Sequence, residues 1–169
     1  ALLVLGAAQA APLRVGGLES PPLFAAGSPP AASPPLVDAV KAGNREAALA
    51  LVAKKADVNA AEPDGTTALH WAAYHDDLAT VDVLIRAGAN VRVANQYGST
   101  PLALAAENGN SAIVQRLLEG GADPNESLLN GETVLMMAAR TGNVATMTLL
   151  LDHGADADAK EASRGTTAL

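Results

Sequence analysis

The sequence predicts an all-α solenoid: stacked helix-turn-helix units joined by short extended fingers. Three observations carry this. First, Tyr97 to Asn125, YGSTPLALAAENGNSAIVQRLLEGGADPN, can be laid over the chain again after a shift of 33 residues in either direction. Gly65, Gly98 and Gly131 then fall in register, as do Leu69, Leu102 and Leu135, and Gly88, Gly121 and Gly154. A fixed period of this length marks a repeat architecture. Second, each copy holds two helical patterns separated by turn residues. Third, a unit this short cannot bury its apolar face alone, so copies must stack.

The elements of one unit follow from its residues. Thr100 suits a helix N-cap, and Pro101 suits the first turn, where its missing N–H costs nothing. Gly109 and Gly142 can end this helix in a left-handed conformation. Ala105, Ala106, Ala138 and Ala139 are small, which allows neighbouring helices to approach closely. The second helix carries Val114, Leu117 and Leu118 at i, i+3 and i+4, one buried stripe. Val81, Leu84 and Ile85, and then Met147, Leu150 and Leu151, repeat it. Gly88, Gly121 and Gly154 stop it.

Several signatures recur at this period. Thr100-Pro101-Leu102 with Ala105-Ala106, and Thr67-Ala68-Leu69-His70 with Ala72-Ala73, resemble the first-helix signature of the ankyrin repeat. Gly121-Ala122-Asp123 and Gly154-Ala155-Asp156 resemble the start of its finger. The resemblance covers roughly Pro34 to Leu169. It implies a non-catalytic module that binds partner proteins through finger tips and the exposed side of the first helix. The matching positions are Asp64, Thr66, Tyr74 and His75; Gln96, Tyr97, Ser99, Glu107 and Asn108; and Leu129, Asn130, Glu132, Arg140 and Thr141. Tyr74 and Tyr97 stand out, because tyrosine is enriched at binding hot spots. Trp71 matches Leu104 and Met137 in register, which reads as a core position rather than an anchor. Leu128-Leu129 is an apolar pair on a finger, a contact hint.

Along the chain, residues 1–11, ALLVLGAAQAA, are apolar and uncharged, and too short to span a bilayer. Ala8-Gln9-Ala10 fits the small-x-small cleavage site of a secretory signal, so this stretch reads as a signal-peptide remnant of an exported protein. An Ala-rich leader in a cytoplasmic protein is the other reading. Residues 12–34 form a Pro- and Gly-rich linker, with Pro-Pro pairs beginning at 21, 29 and 34, which cannot propagate a helix. Residues 35–61 align as a degenerate capping repeat, whose Asp38, Lys41 and Arg45 suit a face toward water. Lys55 stands where later copies have Gly. A left-handed Lys costs on the order of 1 kcal/mol, so this corner is expected to be remodelled. Full repeats follow at 62–94, 95–127 and 128–160. Residues 161–169 start another, and the array is expected to continue.

The chemistry-bearing residues point away from catalysis. His70, His75 and His153 are the only histidines. His70 resembles the family's turn-bonding histidine, and His153 suits a helix C-terminus. His70 and His75 are five apart, wrong for two ligands on one helical face. Asp156-x-Asp158 lacks the Gly and Glu of a calcium loop. No Ser–His–Asp order or phosphate-cradling loop is present. No cofactor and no metal site is implied, and the absence of cysteine excludes disulfides and thiolate sites. The formal charge is −7. Arg14 and Glu19 cancel in the linker, so the repeats carry the whole excess. There is no basic stripe for nucleic acid, and acidic character suits a basic protein partner. A different expectation, an accessory domain of a larger exported enzyme with its catalytic part beyond Leu169, would be decided by the downstream sequence.

Overall fold

The computed structural model describes residues 33–160, 167 and 168. The signal-like stretch, nearly all of the linker, and most of 161–169 lie outside the described residues. Among the described residues, eight helices form four antiparallel pairs: α1 (Pro35–Lys41) with α2 (Arg45–Ala53), α3 (Ala68–Tyr74) with α4 (Leu78–Arg86), α5 (Pro101–Asn108) with α6 (Ser111–Glu119), and α7 (Val134–Thr141) with α8 (Val144–Asp152). First helices stack in one row and second helices in another. The described residues form no strand, only the isolated bridges Ala61–Thr67 and Ser127–Thr133 at the base of two fingers.

Local chemistry sets each boundary. Thr100 Oγ1 accepts the Ala103 N–H at 3.1 Å and starts α5. Every second helix is capped by a carboxylate or amide at the same register. Asn44, Asp77, Asn110 and Asn143 each accept the backbone N–H three residues on. Gly109 closes α5 at φ +72°. Its counterpart after α3 is Asp76, at φ +56°. Asp tolerates this region better than most residues. Lys55 also takes the left-handed conformation, φ +60°. The corner is therefore not remodelled. Lys55 N–H bonds to the Val52 carbonyl at 2.9 Å, and Ala56 N–H to Leu51 at 3.0 Å. These copy the bonds made by Gly88 and Ala89, so the closing hydrogen bonds outweigh the side-chain penalty.

The core is aliphatic. Leu69, Leu102 and Leu135 are at most 1 % exposed, with alanines between the first helices. Val81, Leu84, Val114 and Leu117 line the second row, all fully buried, while Leu118 is nearly so. The stripe weakens in α8: Leu150 is buried, but Leu151 is 39 % exposed. Among the described residues, α8 has a helix neighbour on one side only. Asp38, Lys41 and Arg45 do face water. Lys41 and Arg45 also reach forward to Glu62 and Asp77, tying α1–α2 to the next pair.

Candidate functional site

The fingers and first helices share one face, and polar side chains lock the repeats along it. His70 is the clearest lock. Its Nδ1 accepts the Thr67 backbone N–H at 3.1 Å. A backbone N–H can only donate, so Nδ1 is unprotonated and Nε2 carries the proton. Nε2 then donates to the Ser99 carbonyl of the following finger at 3.0 Å. Burial pushes the His70 pKa down, against the pull of that carbonyl. The ring is a neutral strut between two repeats. Asp64 and Asn95 organise successive finger tips. Asp64 Oδ1 accepts from Thr66 N–H at 2.9 Å, which holds its carboxyl below the usual range. Asn95 Oδ1 accepts from both Tyr97 and Ser99 N–H at 3.0 Å. Gln96 N–H donates to the Asp64 carbonyl at 2.7 Å and joins the two tips.

A second set of locks runs backward along the first-helix ends. His75 Nε2 donates to the Lys41 carbonyl at 3.1 Å. Asn108 Nδ2 does the same to Tyr74 at 2.9 Å. The third residue of this register, Thr141, turns instead to its own helix, donating to Ala138 at 2.9 Å. The polar groups of His75, Asn108 and Thr141 are thus engaged within the array.

The remaining expected contact residues divide by exposure. Tyr74 is 54 % exposed, Tyr97 64 % and Leu129 79 %. Gln96, Glu107, Asn130 and Arg140 are also exposed. Leu129 rests on Gly98: a Cβ there would come within 2.6 Å of Leu129 Cγ, and φ +72° also favours glycine. Asp64, Ser99 and Glu132 are half-buried, and Glu132 pairs with Arg140 at 3.4 Å. Thr66 is only 7 % exposed, with its Oγ1 accepting from Asn95. It supports the finger from beneath and is not itself a surface contact.

Tyr74 and Tyr97 meet at one concavity of about 350 Å³, lined also by Asp64, Thr66, His70, Trp71, Asn95 and Leu104. Trp71 is a residue that register places correctly only in part. It packs on the core but remains half-exposed. Its Nε1 donates to Glu62 Oε2 at 2.8 Å. Lys41 Nζ binds the other Glu62 oxygen at 2.8 Å and lies 4.8 Å from the Trp71 ring centroid. The Lys41 bond, helped by the indole, holds the Glu62 carboxyl below its ordinary range, against the opposing effect of burial. The Tyr74 ring stands at 90° to Trp71 with centroids 5.8 Å apart, and His75 stacks near it at 6.0 Å. Glu62, with no counterpart carboxylate at Asn95 or Leu128, was the available signal: an indole beside a carboxylate has reason to stay near the surface.

Among the described residues there is no grouping of side chains suited to a metal ion, and no helix long and apolar enough to cross a membrane. The family model for ankyrin repeats, three copies, matches residues 36–128 and 121–169. The chain belongs to the ankyrin-repeat family. No curated protein matches it. Ankyrin repeats are generally protein–protein interaction modules and typically non-catalytic. In this ankyrin array the Trp71–Tyr74–Tyr97 concavity lies on the face of fingers and first helices, where the resemblance places partner contacts.

Proposed function

We propose that this ankyrin array recognises a partner protein through its finger-and-first-helix face, centred on Tyr74 and Tyr97, with no chemistry of its own. The observation that carries the reading is the convergence of both tyrosines on one concavity beside Trp71. Each ring offers apolar area with a polar tip at small entropic cost. The locks described above hold the surrounding backbone, so little conformational freedom is lost on binding. Asp64 and exposed Glu107 give the face an acidic character, which suits a basic partner. Glu132 adds less, because Arg140 offsets it.

A pull-down with the intact chain supplies the partner, and calorimetry tests the face. Tyr97→Ala is expected to weaken binding by about 1–3 kcal/mol and barely change folding. Gln115→Ala, an exposed position on α6 bonded only to Glu119 in its own helix, is expected to do neither. The opposite pattern would put the binding surface on the second-helix side.

A further inference from the structure

The chain contains one tryptophan and two tyrosines, and all three line the same concavity. In an array whose core is otherwise aliphatic, the two tyrosines stay exposed and Trp71 packs on the core with one part of its ring while still lining the concavity. Two of the three rings stand at a right angle, forming a corner. Asp64 lies at the same concavity and makes no ion pair with a described residue. Its carboxylate is fixed in direction by the Thr66 N–H. The indole already holds one cation, Lys41 Nζ at 4.8 Å from its centroid, whose charge Glu62 neutralises at 2.8 Å and which does not line the concavity. Aromatic faces attract ammonium and guanidinium groups through the ring quadrupole, more strongly when water is excluded. Lys41, paired with Glu62 at 2.8 Å, acts on Asp64 through space but makes no ion pair with it, so a neutral apolar occupant would cover Asp64 with no cation in contact, which is unfavourable.

We infer that the concavity is a cage for one cationic side chain of the partner, an arginine or lysine, held against Trp71, Tyr74 and Tyr97 with Asp64 as its counter-charge. This rests on the proposed binding face and adds the chemistry of its central contact. The volume, about 350 Å³, is near the lower end for ligand pockets and suits one long side chain with its flanking backbone.

Trp71, as the only tryptophan, reports occupancy directly by fluorescence. The probes are three capped tripeptides, Gly-X-Gly, with X arginine, citrulline or norleucine, titrated into the full chain. The arginine peptide is expected to change Trp71 emission saturably, and the citrulline and norleucine peptides to bind at least about fivefold more weakly. Asp64→Asn keeps the acceptor for Thr66 and removes the charge. It is expected to weaken the arginine peptide about two- to fivefold with an unchanged circular dichroism spectrum. Equal binding of the three peptides, no saturable response to arginine, or indifference to Asp64→Asn overturns the cage. These failures differ from failure of the binding face. A pulled-down partner that is sensitive to Tyr97→Ala but indifferent to Asp64→Asn leaves the face standing and removes the cage. A partner indifferent to Tyr97→Ala removes both.

Discussion

Glu126 occupies a register position held elsewhere by Ala60, Val93 and Ala159. Its carboxyl is packed at the base of a finger, where it accepts a hydrogen bond from Thr100 Oγ1. Burial raises its pKa from 4.5 to about 7, and Asp123 adds to the rise while the Thr100 bond opposes it. Between these values the folded chain keeps a proton that the unfolded chain has lost. Stability must therefore fall as pH rises through this window, and the loss is complete above about 7. At about 1.4 kcal/mol per pH unit, the interval corresponds to ~3 kcal/mol. Solvent access to a half-buried finger reduces the expected effect to about 1–2 kcal/mol. Glu126→Gln removes the charge and keeps an oxygen for Thr100. In urea melts at about pH 8 the variant should exceed the parent by that amount, and the two should nearly coincide at about pH 4.5. The comparison must be between variants, because His70, with its lowered pKa, has the opposite slope. It costs stability as pH falls below its ordinary 6.5. A Gln-minus-Glu difference that is flat with pH would show that Glu126 is ionised in a solvated setting, and the argument from burial would fail.

Leu117, fully buried between second helices, should cost about 2–5 kcal/mol when cut to Ala; an unchanged urea midpoint would refute the stacking register. Lys55→Gly should raise stability by about 0.5–1 kcal/mol, because glycine adopts φ +60° without the Cβ penalty. No gain in the melt would mean that the Lys side chain contributes something the backbone argument omits. Export is also proposed from Ala8-Gln9-Ala10: N-terminal sequencing of protein from its source should find a mature start near Ala11, and an intact leader on a cytoplasmic protein would contradict it.

The period, the glycine corners and the buried stripes were legible because they follow from local rules repeated at fixed spacing. Val81, Leu84, Val114 and Leu117 are placed in the core by their i, i+3, i+4 spacing alone, and they are fully buried. The second-helix caps were equally available in Asn44, Asp77, Asn110 and Asn143, since they occupy one register. What stayed hidden depends on neighbours 29 to 35 residues away. Nothing local says that Asn108 and His75 bond backward to carbonyls, or that Thr66 is covered by the next finger. Lys55 defeated the propensity argument because its corner is held by two backbone hydrogen bonds. Trp71 followed the register argument only in part, because equivalent positions need not share an environment. Met137 is buried, whereas Leu104 and Trp71 are half-exposed.

The inter-repeat hydrogen bonds have a direction. At the first-helix ends the donors of His75 and Asn108 point to the preceding repeat. At the opposite turns, Asn59 and Asn125 point to the following one, bonding the Gly88 and Gly154 carbonyls and accepting from Asn90 and Asp156 N–H. The pairing is complementary at the junctions that His75, Asn108, Asn59 and Asn125 make, whereas Thr141 bonds within its own helix and Arg92 takes the place of the asparagine at the middle junction. A second copy of residues 95–127 placed after the first would bring Asn125 and Asn108 back to the junction, since both belong to that unit. A frame error of one residue would orphan them together. Whole units are thus the natural increment of length for such an array, and the spacing within a unit is what its hydrogen bonds fix.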